Sequence, residues 1–164
     1  MIAPANLRPK TVYIETSVWG MTAKGQNPAL RTPTLEFLRC CIKGDFVAHI
    51  SRIVIEEVDE APEAIEREIV GQIADVRPKV LSISAEAELL ANRFIDENVL
   101  PSRRRADGLH VACAITHGIE LVVSWNYRHI ANQSKADAFR AVALLAGWPA
   151  RFEIHTPFEV LQWS

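Results

Sequence analysis

Short β-branched and apolar runs alternate along this chain with stretches whose apolar residues recur every three or four positions. Thr11-Val12-Tyr13-Ile14 is a β-branched and aromatic run that predicts a first strand. It ends abruptly in Glu15-Thr16-Ser17. Gly20, Gly25, Asn27, Pro28 and Pro33 predict a loop over 20–33. From Thr34 to Ile42 a helix is expected, because Leu35, Leu38 and Ile42 recur at helical spacing, with Gly44 placed to cap it. Phe46-Val47-Ala48-His49-Ile50 predicts a second strand. Ser51 can cap a helix carrying Val54, Ile55 and Val58, and Pro62 suits the first turn of another that runs to about Ala74.

The alternation continues through the second half. Val80-Leu81-Ser82-Ile83 predicts a third strand, and Ser84 opens a helix with Glu86, Glu88, Leu89, Leu90 and Phe94. Pro101-Ser102 precedes a helix from about Arg103 to His117, ended by Gly118. Leu121-Val122-Val123-Ser124 reads as a strand buried on both faces. Lys135 to Ala146 forms a further long helix closed by Gly147, then Phe152-Glu153-Ile154 makes a last strand and Pro157 starts a short terminal helix. Strands separated by helices pair in parallel, which predicts an α/β layered sheet. No repeat, low-complexity tract or linker divides residues 1–164, so one domain is expected.

Composition narrows the function classes. The 164 residues are 49% hydrophobic and 23% charged, ordinary for a globular protein and wrong for a disordered chain. No apolar run is long enough to span a membrane, and the start MIAPANLRPK lacks the pattern of a signal peptide. A net charge of -2 gives no overall pull on nucleic acid, so such binding needs a local patch or a bound cation. The three cysteines, Cys40, Cys41 and Cys113, have neither metal-ligand spacing nor a disulfide pattern, and a reducing cytoplasm is the expected compartment.

Parallel sheets place their sites beyond the carboxyl ends of their strands, which serves as a filter on the acidic residues. Glu15 follows the first strand, Glu57 lies about two turns into the helix after the second, and Asn126 follows the fourth. Asp107, early in the preceding helix, can reach the same edge. Carboxylates gathered at one spot repel each other unless a cation sits there, and Mg2+ or Mn2+ takes oxygen ligands of this kind. Each residue also has a bland explanation. Glu15 suits a solvated turn, Glu57 belongs to the charge run Glu56-Glu57-Val58-Asp59-Glu60, Asp107 complements a helix dipole, and Asn126 suits a turn.

At these residues the chain resembles the PIN-domain proteins, and among them the VapC-type toxins of bacterial toxin–antitoxin pairs. The similar segments are Val12-Tyr13-Ile14-Glu15-Thr16-Ser17-Val18, Ile50 to Val58, Ala106-Asp107-Gly108-Leu109-His110-Val111-Ala112, and Leu121 to Ile130 with its Ser124-Trp125-Asn126-Tyr127-Arg128-His129-Ile130. They occur in family order over about residues 11–130, with a helix and strand following in 134–164. The resemblance implies a three-layer α/β/α fold with a short parallel sheet and a Mg2+- or Mn2+-dependent ribonuclease site. Residue by residue, it puts Glu15, Glu57, Asp107 and Asn126 at the four acidic positions. Glu15, Asp107 and Asn126 would hold the cation, and Glu57 would orient or deprotonate the attacking water. Helix spacing favours Glu57 over Glu56. Two positions depart from the pattern: Glu15 stands where Asp is usual, and Asn126 removes a negative charge. Ser17 and Ser124 would support the rim of the site.

Arg103-Arg104-Arg105 can meet RNA phosphates, although a solvated helix start explains them equally well. His110, one turn beyond Asp107, is expected to be structural, and Trp19, Trp125, Trp148 and Trp163 are expected to pack, with Trp19 or Trp125 also able to stack a base. The leading expectation is a metal-dependent endoribonuclease, the toxin of a type II pair, with an RNA substrate, a small antitoxin and a homodimeric state. The alternatives are a PIN-like RNA- or protein-binding module with a weakened site, and a hydrolase of small phosphoesters.

Overall fold

The computed structural model describes residues 10–162. Five strands form one all-parallel sheet in the order β3-β2-β1-β4-β5: β1 (Lys10–Ile14), β2 (Phe46–Ser51), β3 (Lys79–Leu81), β4 (Leu121–Val123) and β5 (Glu153–His155). The centre of the sheet is β1, where Tyr13 stands beside His49 of β2 on one side and Val122 of β4 on the other. Val12, Tyr13 and Ile14 are fully buried, as are Leu121, Val122 and Val123. These are the continuous apolar runs that a strand covered on both faces requires.

The helices are α1 (Thr16–Gly20), α2 (Pro28–Lys43), α3 (Arg52–Asp59), α4 (Glu63–Val76), α5 (Ala85–Asp96), α6 (Arg105–Thr116), α7 (Gln133–Leu145) and α8 (Pro157–Leu161). From β1 the chain steps outward to β2 and β3, then crosses back to β4 and β5. Right-handed crossovers in these two directions lay α1–α4 on one face and α5–α7 on the other. The packing agrees: α2 meets α4 and α8, whereas α5 meets α6 and α7. The expected three-layer arrangement with a short parallel sheet is thus observed. Gly108 of α6 faces α5, where a Cβ would lie 3.5 Å from Phe94 Cδ2 and 3.9 Å from the Ala91 carbonyl oxygen.

Several element boundaries differ from the sequence expectation. The loop predicted over 20–33 is helix from Pro28 onward. Asn27 caps it by accepting from the Ala29 amide, Pro28 occupies the first turn, and Pro33 is accommodated inside the helix. Asn27→Ala is expected to cost about 1 kcal/mol of stability in urea unfolding. The short α1 was not foreseen, because its cap is the Glu15 carboxylate, which accepts from the Ser17 amide. The third strand is Lys79–Leu81 rather than 80–83, because its partner β2 ends at Ser51, which pairs with Leu81. Ser51 begins α3 without capping it; its hydroxyl bonds Tyr13 instead. A 3-10 turn, Ser102–Arg104, precedes α6, which starts at Arg105. Trp163 and the segment before Lys10 lie outside the described residues.

Candidate active site

The chain reverses its direction across the sheet between β1 and β4, and the carboxyl ends of these two strands open a crevice of the kind that binds ligands in α/β folds. Glu15 sits there, only 4% exposed. Its backbone amide continues the ladder to Val123 O at 3.0 Å, which fixes where the side chain starts. Its Oε2 accepts from the Ser17 amide at 3.2 Å, from the Ser17 hydroxyl, and from the Ser124 hydroxyl at 2.8 Å. The same two hydroxyls accept in turn from the loop after β4: Ser17 Oγ from the Trp125 amide at 2.9 Å, and Ser124 Oγ from the Asn126 amide at 2.9 Å. Ser17 and Ser124 therefore tie the end of β1 to the end of β4 through the Glu15 carboxylate.

Asn126 closes the loop. Its Oδ1 accepts from the His129 amide at 3.1 Å, and its carbonyl accepts from the Ile130 and Ala131 amides. The side-chain bond reaches three residues ahead, as that of a helix N-cap does, and it occupies one lone pair of the side-chain oxygen. Glu57 enters from α3. Its Oε1 accepts from Thr16 Oγ1 at 3.0 Å and pairs with His110 Nε2 of α6. Glu56 points to solvent and pairs with Arg52 on its own helix. Burial by itself raises the Glu57 pKa, but the hydrogen bond and charge of His110, helped by Thr16, outweigh it, so the group ends below the ordinary value of 4.5.

His110 is fully buried and bonded at both ring nitrogens, to Glu57 and, at 2.6 Å, to the Tyr13 hydroxyl. Tyr13 in turn meets Ser51 Oγ at 2.7 Å. A continuous polar chain, Ser51–Tyr13–His110–Glu57–Thr16, thus runs from the sheet to the crevice. Burial alone would lower the His110 pKa; the Glu57 hydrogen bond and the charges of Glu15, Glu57 and Asp107 raise it above 6.5. Burial likewise holds Tyr13 protonated, with its pKa well above 10.0.

Asp107 lies in the first turn of α6, and its Oδ2 is buried without a hydrogen-bond partner among the described residues. Burial raises its pKa, and the nearby Glu15 charge raises it further, against the opposing pull of His110, His129 and Arg104. Of the three successive arginines, Arg104 is exposed and close enough for its charge to act on this carboxylate, Arg105 bonds Asn92 of α5 at 3.0 Å, and Arg103 is exposed on the 3-10 turn. Trp19 and Trp125 are buried, their indole N–H groups bonded to Ile14 O and Thr34 Oγ1, so neither offers a face to a base.

The structure thus links Glu15, Ser17, Ser124 and Asn126 in one hydrogen-bonded group, brings Glu57 in through Thr16 and His110, and sets Asp107 within electrostatic reach of Glu15. Among the described residues no three His, Cys, Asp or Glu side chains are gathered to hold a metal ion. A hydrated Mg2+ needs less, since one or two carboxylates and water complete its shell. An orphaned carboxylate oxygen within electrostatic reach of a second, buried carboxylate is an environment that a divalent cation satisfies, so Glu15 and Asp107 fit one. The sequence pattern missed Tyr13, Thr16, His110 and His129 as parts of this region. The one available signal was the three-residue spacing of Asp107 and His110, which puts both on one helix face.

No protein-family model and no curated protein matches the chain. Solved structures do. VapBC2 from Rickettsia felis, bound to a DNA fragment from their promoter, is 13% identical, with a TM-score of 0.57 over 89% of this chain and 98% of that one. DNA-bound VapBC from Salmonella typhimurium is 17% identical, with a TM-score of 0.55 over 90% and 98%. Mycobacterium tuberculosis VapC20, a Sarcin-Ricin loop cleaving toxin, is 18% identical, with a TM-score of 0.52 over 85% and 97%. The fold is accordingly PIN-like. No helix among the described residues is long and apolar enough to cross a membrane.

Proposed function

We propose that this chain is a divalent-cation-dependent endoribonuclease acting as the toxin of a type II toxin–antitoxin pair. The observation that carries the proposal is the buried, unpartnered Oδ2 of Asp107 within electrostatic reach of the buried carboxylate of Glu15, at the switch point of a PIN-like sheet. Glu15 and Asp107 would hold Mg2+ or Mn2+, with Asn126 contributing its remaining carbonyl lone pair. Bound there, the cation would supply an activated water and offset charge developing on the phosphate. Ser17 and Ser124 keep the Glu15 carboxylate in one orientation. Glu57, ionised and anchored by His110, would orient the attacking water and accept its proton. Arg104, with Arg103 and Arg105 beside it, supplies the local positive charge that the net charge of -2 withholds.

The test is incubation with structured RNA in Mn2+ or in EDTA, followed by end analysis. Cleavage in Mn2+ alone, leaving 5′-phosphate and 3′-hydroxyl ends, is expected; cleavage in EDTA, or no cleavage with Mn2+ bound, counts against the proposal. The partners proposed with it are a small antitoxin occupying the acidic crevice and a second copy of the chain. Co-purification with a neighbour-encoded protein and light scattering check these. One observation favours a weakened, non-catalytic RNA- or protein-binding module instead: Asn126 contributes no charge and already spends its side-chain oxygen on the His129 amide.

Asn126→Asp separates the two. The bond to the His129 amide survives, because a carboxylate accepts it equally well. An added charge about 4 Å from a divalent ion is worth roughly 8 kcal/mol at an effective dielectric of 20, before desolvation and carboxylate repulsion. On the order of 1–3 kcal/mol is expected to survive, a roughly tenfold to hundredfold gain in Mn2+ affinity by calorimetric titration. Unchanged affinity in the folded variant would place Asn126 outside the metal shell.

A further inference from the structure

Two buried side-chain atoms lack a hydrogen-bond partner among the described residues, Asp107 Oδ2 and His129 Nε2. Asp107 lies in the first turn of α6 and His129 in the turn after β4, and each feels the other's charge. His129 is 8% exposed and held in place by its backbone, which donates to Asn126 in the turn after β4. The charged groups around its ring are Arg104, Asp107, Arg128 and Lys135, three cations and one acid. Lys135 is engaged with the Val99 carbonyl. The amino end of α6 has no side-chain cap and is continued by the 3-10 turn, whose Ser102 carbonyl accepts from the Arg105 amide, so the donors left on this side are side chains.

The two orphaned atoms ask for opposite partners. A carboxylate oxygen only accepts, so Asp107 suits a cation. An imidazole N–H among three cations suits an acceptor anion. A phosphodiester with its divalent counter-ion brings both at once. We infer that His129 Nε2 and Arg104 form the seat for one RNA phosphate, on the side of Asp107 where the cation is proposed. The inference rests on the ribonuclease reading and adds a residue that binds substrate rather than metal. An anion that only accepts selects the Nε2–H tautomer of His129.

The test uses the full chain in EDTA with a fluorescein-labelled RNA hairpin, so that binding is read without cleavage. His129→Leu is expected to weaken RNA binding about tenfold, and His129→Gln, which keeps a donor near the Nε2 position, to recover it to within about threefold. Mn2+ affinity by calorimetry should stay within about twofold in both. Arg104→Gln should flatten the salt dependence of RNA binding by about 0.7 in log–log slope, the share of one phosphate contact on a single strand. In the wild-type protein the imidazole nitrogen resonance of His129 should shift on saturation with RNA. A folded His129→Leu variant that binds RNA like wild type overturns the inference. If that variant does not fold, the wild-type resonance decides: a shift supports the seat and no shift overturns it. A shift caused by a co-purified partner protein but not by RNA assigns the pocket to protein recognition and also overturns it. Wild-type protein that cleaves RNA while His129→Leu cleaves and binds equally well refutes the seat alone. Wild-type protein that binds Mn2+ but neither binds nor cleaves RNA refutes both the seat and the ribonuclease reading.

Discussion

Asp107→Asn is expected to lower RNA cleavage at least about a hundredfold while leaving the fold intact, because a charged ligand to a catalytic cation contributes several kcal/mol in the transition state. The same change should stabilise the metal-free protein. Burial and the Glu15 charge raise the Asp107 pKa above its ordinary 3.8, so the folded state penalises the ionised form. The sign follows: the penalty is absent at low pH, where the group is protonated in both states, and complete once the pH exceeds the folded pKa. Asparagine removes the repulsion from Glu15 at neutral pH. A gain of about 1 kcal/mol, or roughly 2–4 °C in Tm, is expected in EDTA. Added Mn2+ should then raise the Tm of wild type and not of the variant. Wild-type-like cleavage by the folded variant would remove Asp107 from the site, and an unchanged or lower Tm would mean that its buried oxygen is satisfied by water.

That trade of stability for function also explains which parts of the site were legible in the sequence. The positions of Glu15 and Asn126 follow from strand ends, and strands β1 and β4 are legible because each is an apolar run too short for a helix and too continuous for an exposed face. What each polar group bonds to depends on tertiary neighbours. Ser51 has the residue type and place of a cap, yet its hydroxyl turns to Tyr13, 38 residues away in sequence. Glu15 caps α1 although glutamate is a poor predictor of caps, because Ser124 holds its carboxylate from the other strand. Pro28 and Pro33 look like breakers in a local window, but the first sits where a helix start tolerates proline and the second is buried against the core. His110 reads as a core histidine, which it is; its second role appears only once α3 brings Glu57 against it.

That pairing carries the other large effect. His110→Leu is expected to cost about 2–4 kcal/mol of stability, since it fills the space but leaves Glu57 without its charged partner and Tyr13 with Ser51 alone. Tyr13→Phe should cost less, about 1–3 kcal/mol, by leaving His110 Nδ1 and Ser51 Oγ unpaired in the core. The pH dependence identifies the ionised pair. The His110 pKa is raised above 6.5, so its contribution is complete below 6.5 and is lost as the pH climbs through the folded value. The Glu57 pKa is lowered below 4.5, so its contribution is complete above 4.5 and is lost as the pH falls through the folded value. The stability difference between wild type and His110→Leu should therefore be largest between pH 4.5 and 6.5 and shrink on either side. The Glu57 side chain is 36% exposed, so solvent screening moderates the acid limb more than the alkaline one, which belongs to a fully buried ring. Urea unfolding of both proteins from pH 4 to 9 reads this directly. A difference that stays flat across that range would show His110 neutral throughout, a hydrogen-bond donor to Glu57 and not its counter-ion.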